Sequence, residues 1–357
     1  MLVTSRHMET PRHASEAATQ LRGFWYPVAD SRELRSAPLE RRIAGEVLVL
    51  FRDAEGRARV LAAGCPHRGG NLARGTVRDG CLTCPFHGWR FDGNGRCVGV
   101  PSEPPGRALP RGGTRAHEVI EQQGLVWTHL GAPGTTVAPP PRFEELDDAS
   151  FRAFHVQELV PLPFDWWCEN ILDVTHVPFA HRLTYGGQNP VIEGGYPVER
   201  GDDLGFTARV TTRHRYSFWT RLLHGSVSHF DMHIHVRHFM PGNTVFDVDM
   251  GGGRRQRLLF LATPEDGAST RVWVFVLRNY LRHIPFGDAV GRAFTRQVIR
   301  EDVELARHAV WHITLAQPRP LSVAADEPTV EFLRLLKLWR ERERQPHPLR
   351  ETEQAHG

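Results

Sequence analysis

Two short segments concentrate the side chains that hold metals. The first runs from GCPHRGGN to CLTCPFHGW: Cys65 and His67 stand one residue apart, and sixteen residues later Cys84 and His87 stand two apart. The second, WWCENILDVTHVPFAHRL, carries Glu169, Asn170, Asp173, His176 and His181. Thiolates and imidazoles together suit zinc or an iron–sulfur cluster, whereas two imidazoles and one carboxylate suit a mononuclear iron(II) that keeps open coordination positions.

Two Cys and two His in paired arms would satisfy a tetrahedral structural zinc. Zinc knuckles, however, usually offer helix-borne histidines three to five residues apart. Here each arm is a tight loop, with Pro66 and Pro85 after the cysteines and Gly69, Gly70 and Gly88 crowding the turns. Such loops suit a bulkier guest, a [2Fe-2S] cluster with thiolates on one iron and imidazoles on the other, the neutral ligands raising its potential. Cys81 would belong to a competing C-x-x-C-x-x-H pattern that orphans one of the other four, so it reads as a small strand residue, as do Cys97 and Cys168. The C-P-H-R … C-P-F-H-G-W arrangement resembles the Rieske [2Fe-2S] domain. That resemblance implies that Cys65 and Cys84 bind one iron and that His67 and His87 bind the other. Rieske proteins of respiratory complexes add a disulfide cysteine to each loop; neither arm has one here, which points to the oxygenase branch.

In the second segment Asn170, Asp173 and His176 fall at i, i+3 and i+6, one face of a helix. His181 would point elsewhere on a continuous helix, and Pro178 breaks it and can bring the second imidazole round. A carboxylate must come from further along, and TRQVIREDVELARHAVWHI offers Glu301, Asp302 and Glu304. At 100° per residue Phe294, Val298, Ile299, Val303, Leu305, Ala306, Ala309, Val310 and Ile313 form an apolar arc with Asp302 near its middle, while Glu301 and Glu304 fall where solvent would satisfy them. A carboxylate on a buried face needs a partner or a metal, so Asp302 is the candidate. The alternating histidines His233 and His235 are expected to line the sheet or face solvent; if inward, they would share a face and touch substrate.

The N-x-x-D-x-x-H-x4-H pattern with the later E-D resembles the catalytic domain of Rieske non-haem iron oxygenases, and FWYPVADSREL near the N-terminus is similar to the vanillate demethylase, pheophorbide oxygenase and ketosteroid hydroxylase branch. The resemblance implies His176, His181 and Asp302 as ligands of one Fe(2+), beside one [2Fe-2S] cluster per chain. It implies that Asp173, with Asn170 in the catalytic surroundings, links the iron site to a Rieske histidine of a neighbouring subunit in a homotrimer; Asp173 could equally orient His176. It further implies O2-dependent monooxygenation, by hydroxylation or oxidative demethylation, of a small hydrophobic aromatic or polycyclic substrate. Electrons would come from a ferredoxin and/or a flavin NAD(P)H reductase, since no G-x-G-x-x-G turn or plant-type ferredoxin spacing is present. A Rieske electron-transfer protein with a non-catalytic binding domain is the rival reading.

The elements that must position these groups read as α+β. Short apolar runs (GEVLVLFRD, RARVLAAG, GLVWTHLG) and the hairpin signal Asp92-Gly93-Asn94-Gly95 predict an all-β Rieske domain over 20–131. The Pro- and Gly-rich 132–142 reads as a linker, and 143–345 as a catalytic domain of antiparallel-sheet, helix-grip (START-like) type. Its alternating segments lie at 204–216, 226–240, 244–250, 254–264 and 270–280, followed by helices over about 287–313 and over PTVEFLRLLKLWRERER. A net charge of +3 with no single-sign run gives no reason to expect nucleic acid, and the lack of an apolar h-region or membrane span, with five sparse cysteines, leads to an expected cytoplasmic protein with a loose C-terminal tail.

Overall fold

The structure is a computed structural model, and it describes residues 21–182, 184–185, 189–215, 229–308 and 321–344. The N-terminal stretch, the end of the helix expected to reach 313, and the C-terminal tail lie outside the described residues. The chain divides into two compact units: Met1–Arg142 with Thr263–Ala268, and Phe143–Ala262 with Ser269–Gly357. The segment 132–142, expected as a linker, groups with the first unit, where Val137 N donates to Gly23 O.

Among its described residues the first unit is all β apart from short 3-10 turns. Strands β1 (Tyr26–Asp30), β10 (Val119–Gln122) and β11 (Leu125–Thr128) form one sheet in the order β1-β11-β10. A second sheet, β2-β3-β4-β9, joins Leu39–Ile43, Glu46–Arg52, Ala58–Ala62 and Ala116–His117. The third, β5-β6-β7-β8, is built from Thr76–Arg78, Cys81–Thr83, Arg90–Phe91 and Cys97–Gly99. Leu48 to Phe51 of β3 are all buried, as expected of an uninterrupted apolar run covered on both faces. The Asp92–Gly95 turn is a hairpin: Asp92 Oδ1 accepts from Asn94 N and Arg96 N, and Gly95 takes a positive φ of 77°. One core of Val49, Phe51, Leu61, Leu72, Leu82 and Phe91 carries Cys65 and Cys84 at its margin.

The second unit is one antiparallel sheet of seven strands, β12-β18-β17-β16-β15-β14-β13. These are Arg152–Val160 (β12), Val198–Arg200 (β13), Gly205–Arg215 (β14), His229–Phe239 (β15), Asn243–Asp249 (β16), Arg255–Pro264 (β17) and Thr270–Arg278 (β18). The five long alternating segments appear as strands, and β12 adds an edge strand paired with β18 over its whole length. Among the described residues four helices accompany it: α1 (Phe164–Leu172), α2 (Val177–Ala180), α3 (Gly287–His308) and α4 (Glu327–Arg344). Phe332, Leu335 and Leu336 of α4 are buried, and Trp339 Nε1 donates to Asp203 O. On α3 the buried positions are Thr295, Ile299, Asp302 and Ala306, a single stripe at spacings of four, three and four. This stripe is narrower than the apolar arc, and Phe294 and Leu305 stay partly exposed.

Gly75, between the first metal-ligand segment and β5, has no room for a side chain: a Cβ there would lie 2.0 Å from the Thr83 carbonyl oxygen, one residue before Cys84. Gly75→Ala is therefore expected to destabilise the protein by about 2 kcal/mol or more. Thermal denaturation of the variant against the parent reads this out.

Candidate functional site

The two arms of the first cluster are built alike. Cys65 N donates to Gly70 O at 2.9 Å and Gly69 N to Cys65 O at 2.8 Å; Cys84 N donates to Trp89 O at 2.8 Å and Gly88 N to Cys84 O at 3.0 Å. Each six-residue loop thus closes on its own cysteine, with a glycine of positive φ (70° and 71°) at the fifth position, where an L side chain would be strained. A Cβ on Gly70 would sit 3.0 Å from Cys84 Sγ, so the glycine of one loop makes room beside the thiol of the other. The rings of His67 and His87 are 4.6 Å apart, and His67 stacks on Trp89 at 4.6 Å with only 6° between planes. Burial, and Cys84 beside it, push the Cys65 thiol up. His67 Nδ1 is buried without a hydrogen-bond partner. Two buried thiols and an orphaned imidazole nitrogen, in loops preshaped by backbone bonds, fit a [2Fe-2S] cluster.

The second cluster forms where α1 stops. Asp173 is extended rather than helical, and its Oδ1 accepts from Thr175 N and Thr175 Oγ1, both at 2.6 Å. That local turn competes with the helix and ends it at Leu172, well before Pro178, so Asn170, Asp173 and His176 do not share a continuous helical face. The short α2 then carries the chain from His176 to His181, whose rings lie 5.3 Å apart. Across from them, Asp302 Oδ1 lies 3.3 Å from His176 Nε2 and 3.2 Å from His181 Nε2. Among the described residues these three form the group of His, Cys, Asp or Glu whose ligand atoms all lie within 4.8 Å of one another.

Neighbouring groups orient the three. Asn170 Nδ2 donates to Asp302 Oδ1 at 3.0 Å. His181 Nδ1 donates to Glu301 Oε2 at 2.8 Å, and the same carboxylate accepts from Thr184 and Gln297. Glu301 is therefore not left to solvent: His181 stands beside α3 where the sequence arc ends, and its second nitrogen needs an acceptor. A carboxylate on Nδ1 fixes the tautomer that leaves the Nε2 lone pair for a metal. Asp173 Oδ2 is 3.6 Å from His176 Nδ1, too long for a hydrogen bond but close enough to attract an imidazolium. Burial opposes charge at all of these groups, yet the carboxylates beside His176 raise it to about 9, and the two imidazoles hold Asp302 at about 2.

The cluster opens onto a cavity of about 570 Å³. Its walls are mostly apolar, from the sheet face of β15 to β18 and from α3, with Thr212, Gln256, Arg278, Tyr280 and Thr295 among the polar exceptions. Met232 and Ile234 of β15 face this cavity, so His233 and His235 lie on the other side of the sheet and do not reach it. Sequence reasoning missed Glu301, Gln256, Arg278 and Tyr280. For Glu301 the adjacency to Asp302 on one helix was the available signal.

Paired Cys/His loops on a small all-β unit, with two histidines and an aspartate at the wall of a cavity in a sheet-and-helix unit, define a class: chains that couple a one-electron centre to a non-haem metal site. Comparison with known proteins places the chain within it. Residues 24–129 match the Rieske [2Fe-2S] domain, and residues 163–342 match the vanillate O-demethylase oxygenase C-terminal domain. The aminopyrrolnitrin oxygenase of Pseudomonas fluorescens is 34% identical over 180 residues, covering 48% of this chain and 49% of that protein. The chlorophyllide a oxygenase of Chlamydomonas reinhardtii is 28% identical over 314 residues, covering 84% of this chain and 45% of that one. These matches span about half the length of the curated relatives. The structure of dicamba monooxygenase bound to dicamba aligns with a TM-score of 0.79 at 25% identity, covering 91% of this chain and 99% of that one. The chain belongs to the Rieske oxygenases with a vanillate O-demethylase-type C-terminal domain.

Two outcomes follow from this geometry. In metal-free protein the ion pairs of His176 stabilise the fold fully below about pH 6.5, where its imidazole is charged folded or unfolded, and are lost as pH rises through about 9. Thermal scans of chelator-treated protein should show melting falling over that window, and Fe(2+) titration should release protons and tighten as pH rises. Glu301→Gln removes the charged acceptor of His181 and should weaken Fe(2+) binding roughly 10- to 100-fold, which competition with a metal-sensitive chelator measures.

Proposed function

We propose that the chain is the terminal oxygenase component of a multi-component monooxygenase, hydroxylating or oxidatively demethylating a hydrophobic aromatic or polycyclic substrate. The observation that carries this reading is the convergence of His176, His181 and Asp302 on one wall of an apolar cavity. Cys65, Cys84, His67 and His87 would hold a [2Fe-2S] cluster, and His176, His181 and Asp302 one Fe(2+). When bound, these groups supply single-electron transfer and a centre at which O2 is activated beside the substrate.

This chain's own residues do the rest. Asn170 steadies the Asp302 carboxylate, and Glu301 fixes His181 with Nε2 turned to the metal. The apolar walls exclude water and seat rings next to the cluster. Asp173, next to His176, is the group we assign to the link with a neighbouring subunit's Rieske histidine, which makes a homotrimer the working assembly. Electrons come in this reading from a ferredoxin and/or a flavin NAD(P)H reductase. We place it in the cytoplasm, in keeping with five cysteines in 357 residues, too sparse for a disulfide framework. The rival, an electron-transfer protein with a non-catalytic second domain, leaves a buried carboxylate facing two imidazoles without a purpose.

Metal analysis separates the two. Anaerobically purified protein should contain about three irons per chain and two inorganic sulfides, against two irons for a carrier. Asp302→Ala should keep the visible spectrum of the cluster, drop to about two irons and lose substrate-dependent O2 uptake by a hundredfold or more; full turnover by that variant sinks the assignment.

A further inference from the structure

We propose that Arg278 anchors the substrate and that the cavity takes a ring system bearing a carboxylate. This rests on the reading of the cavity as the substrate site. Among the described residues lining it, Arg278 is the sole arginine or lysine. It ends β18, and the residue is 8% exposed. Two contacts fix it in place: it lies 5.5 Å over the Phe154 ring, and Nη2 donates to Asp288 Oδ1 at 2.8 Å.

That ion pair does not neutralise it. Asp288 is shared with Arg152, whose Nε and Nη2 reach the same carboxylate at 2.8 to 3.1 Å. Two guanidiniums on one carboxylate leave a net positive charge. Arg152 is half exposed and water screens its share; Arg278 sits against the apolar wall and has no such relief. Among the described residues nothing engages Nε or Nη1 of Arg278. On the neighbouring strand β17, Gln256 also lines the cavity, and its Oε1 accepts from Tyr280 Oη at 2.6 Å. With its oxygen turned to Tyr280, Gln256 offers its amide N–H groups, none of which meets a partner among the described residues. Arg278 and Gln256 thus bring unfilled N–H donors and a net positive charge to one part of the wall, away from Asp302 and the histidines. A planar guanidinium with free N–H groups is matched best by a planar carboxylate. A neutral carbonyl would satisfy the donors and leave the charge uncompensated.

Calorimetry on the iron-loaded full chain with three ring-matched probes tests this: 2-naphthoate, 2-acetylnaphthalene and 2-ethylnaphthalene. 2-Naphthoate should bind about tenfold or more tighter than 2-ethylnaphthalene, with 2-acetylnaphthalene between them. Arg278→Gln should bring all three within about threefold while 2-ethylnaphthalene binds as before, which also reports an intact cavity. Gln256→Met, which disturbs no ion pair, should lower the 2-naphthoate preference by a smaller factor. The proposal is overturned if 2-naphthoate fails to bind, if 2-acetylnaphthalene equals it, or if its preference survives Arg278→Gln, which would put the carboxylate on the iron. Iron content measured on the same samples keeps this separate from the oxygenase reading: an unselective cavity with three irons per chain removes the anchor and leaves the oxygenase.

Discussion

A carboxylate buried between two imidazoles is the constraint around which the second unit is arranged. Asp302 sits on the inward stripe of α3, where an unpartnered charge would be costly, and the chain meets that cost by ending α1 early and bending through α2 so that His176 and His181 face it. Asn170 takes part of the carboxylate's remaining capacity, and Glu301 takes the far nitrogen of His181. The apolar stripe of α3 is then free to close one side of the cavity, and the sheet the other.

The first unit solves a different problem with the same economy. Its ligands come from two loops that each fold back on their own cysteine through backbone hydrogen bonds. Trp89 stacked on His67 fixes the ring from outside, and the glycine at 70 leaves the space that Cys84 Sγ needs.

Much of this was legible in the sequence, because the information was local. Cys65, His67, Cys84 and His87 declare themselves by spacing within two short loops, and Asp302 by a charge in the middle of an apolar arc. The alternating segments became strands as expected. What was not legible depends on partners far along the chain. β12 pairs with β18 across more than a hundred residues, and neither segment encodes the other. Glu301 looked solvated because helical phase places a residue on an angle but does not say what stands there; His181 does. Strand alternation puts Arg278 and Gln256 on a face, and only the assembled sheet shows that face to be a cavity wall. The shared helical face of Asn170, Asp173 and His176 failed for a local reason, since the Asp173 side chain outcompetes the helix for Thr175 N–H.

Glu301 and Asp302 are consecutive residues of α3, and they touch, directly or through their carboxylates, opposite nitrogens of a single ring. The same helix presents Val290, Phe294, Val298 and Ile299 to the cavity. One rod therefore borders both the space for a guest on its apolar side and the imidazole on its acidic side. The position of that rod thus sets what meets the ring at both of its nitrogens.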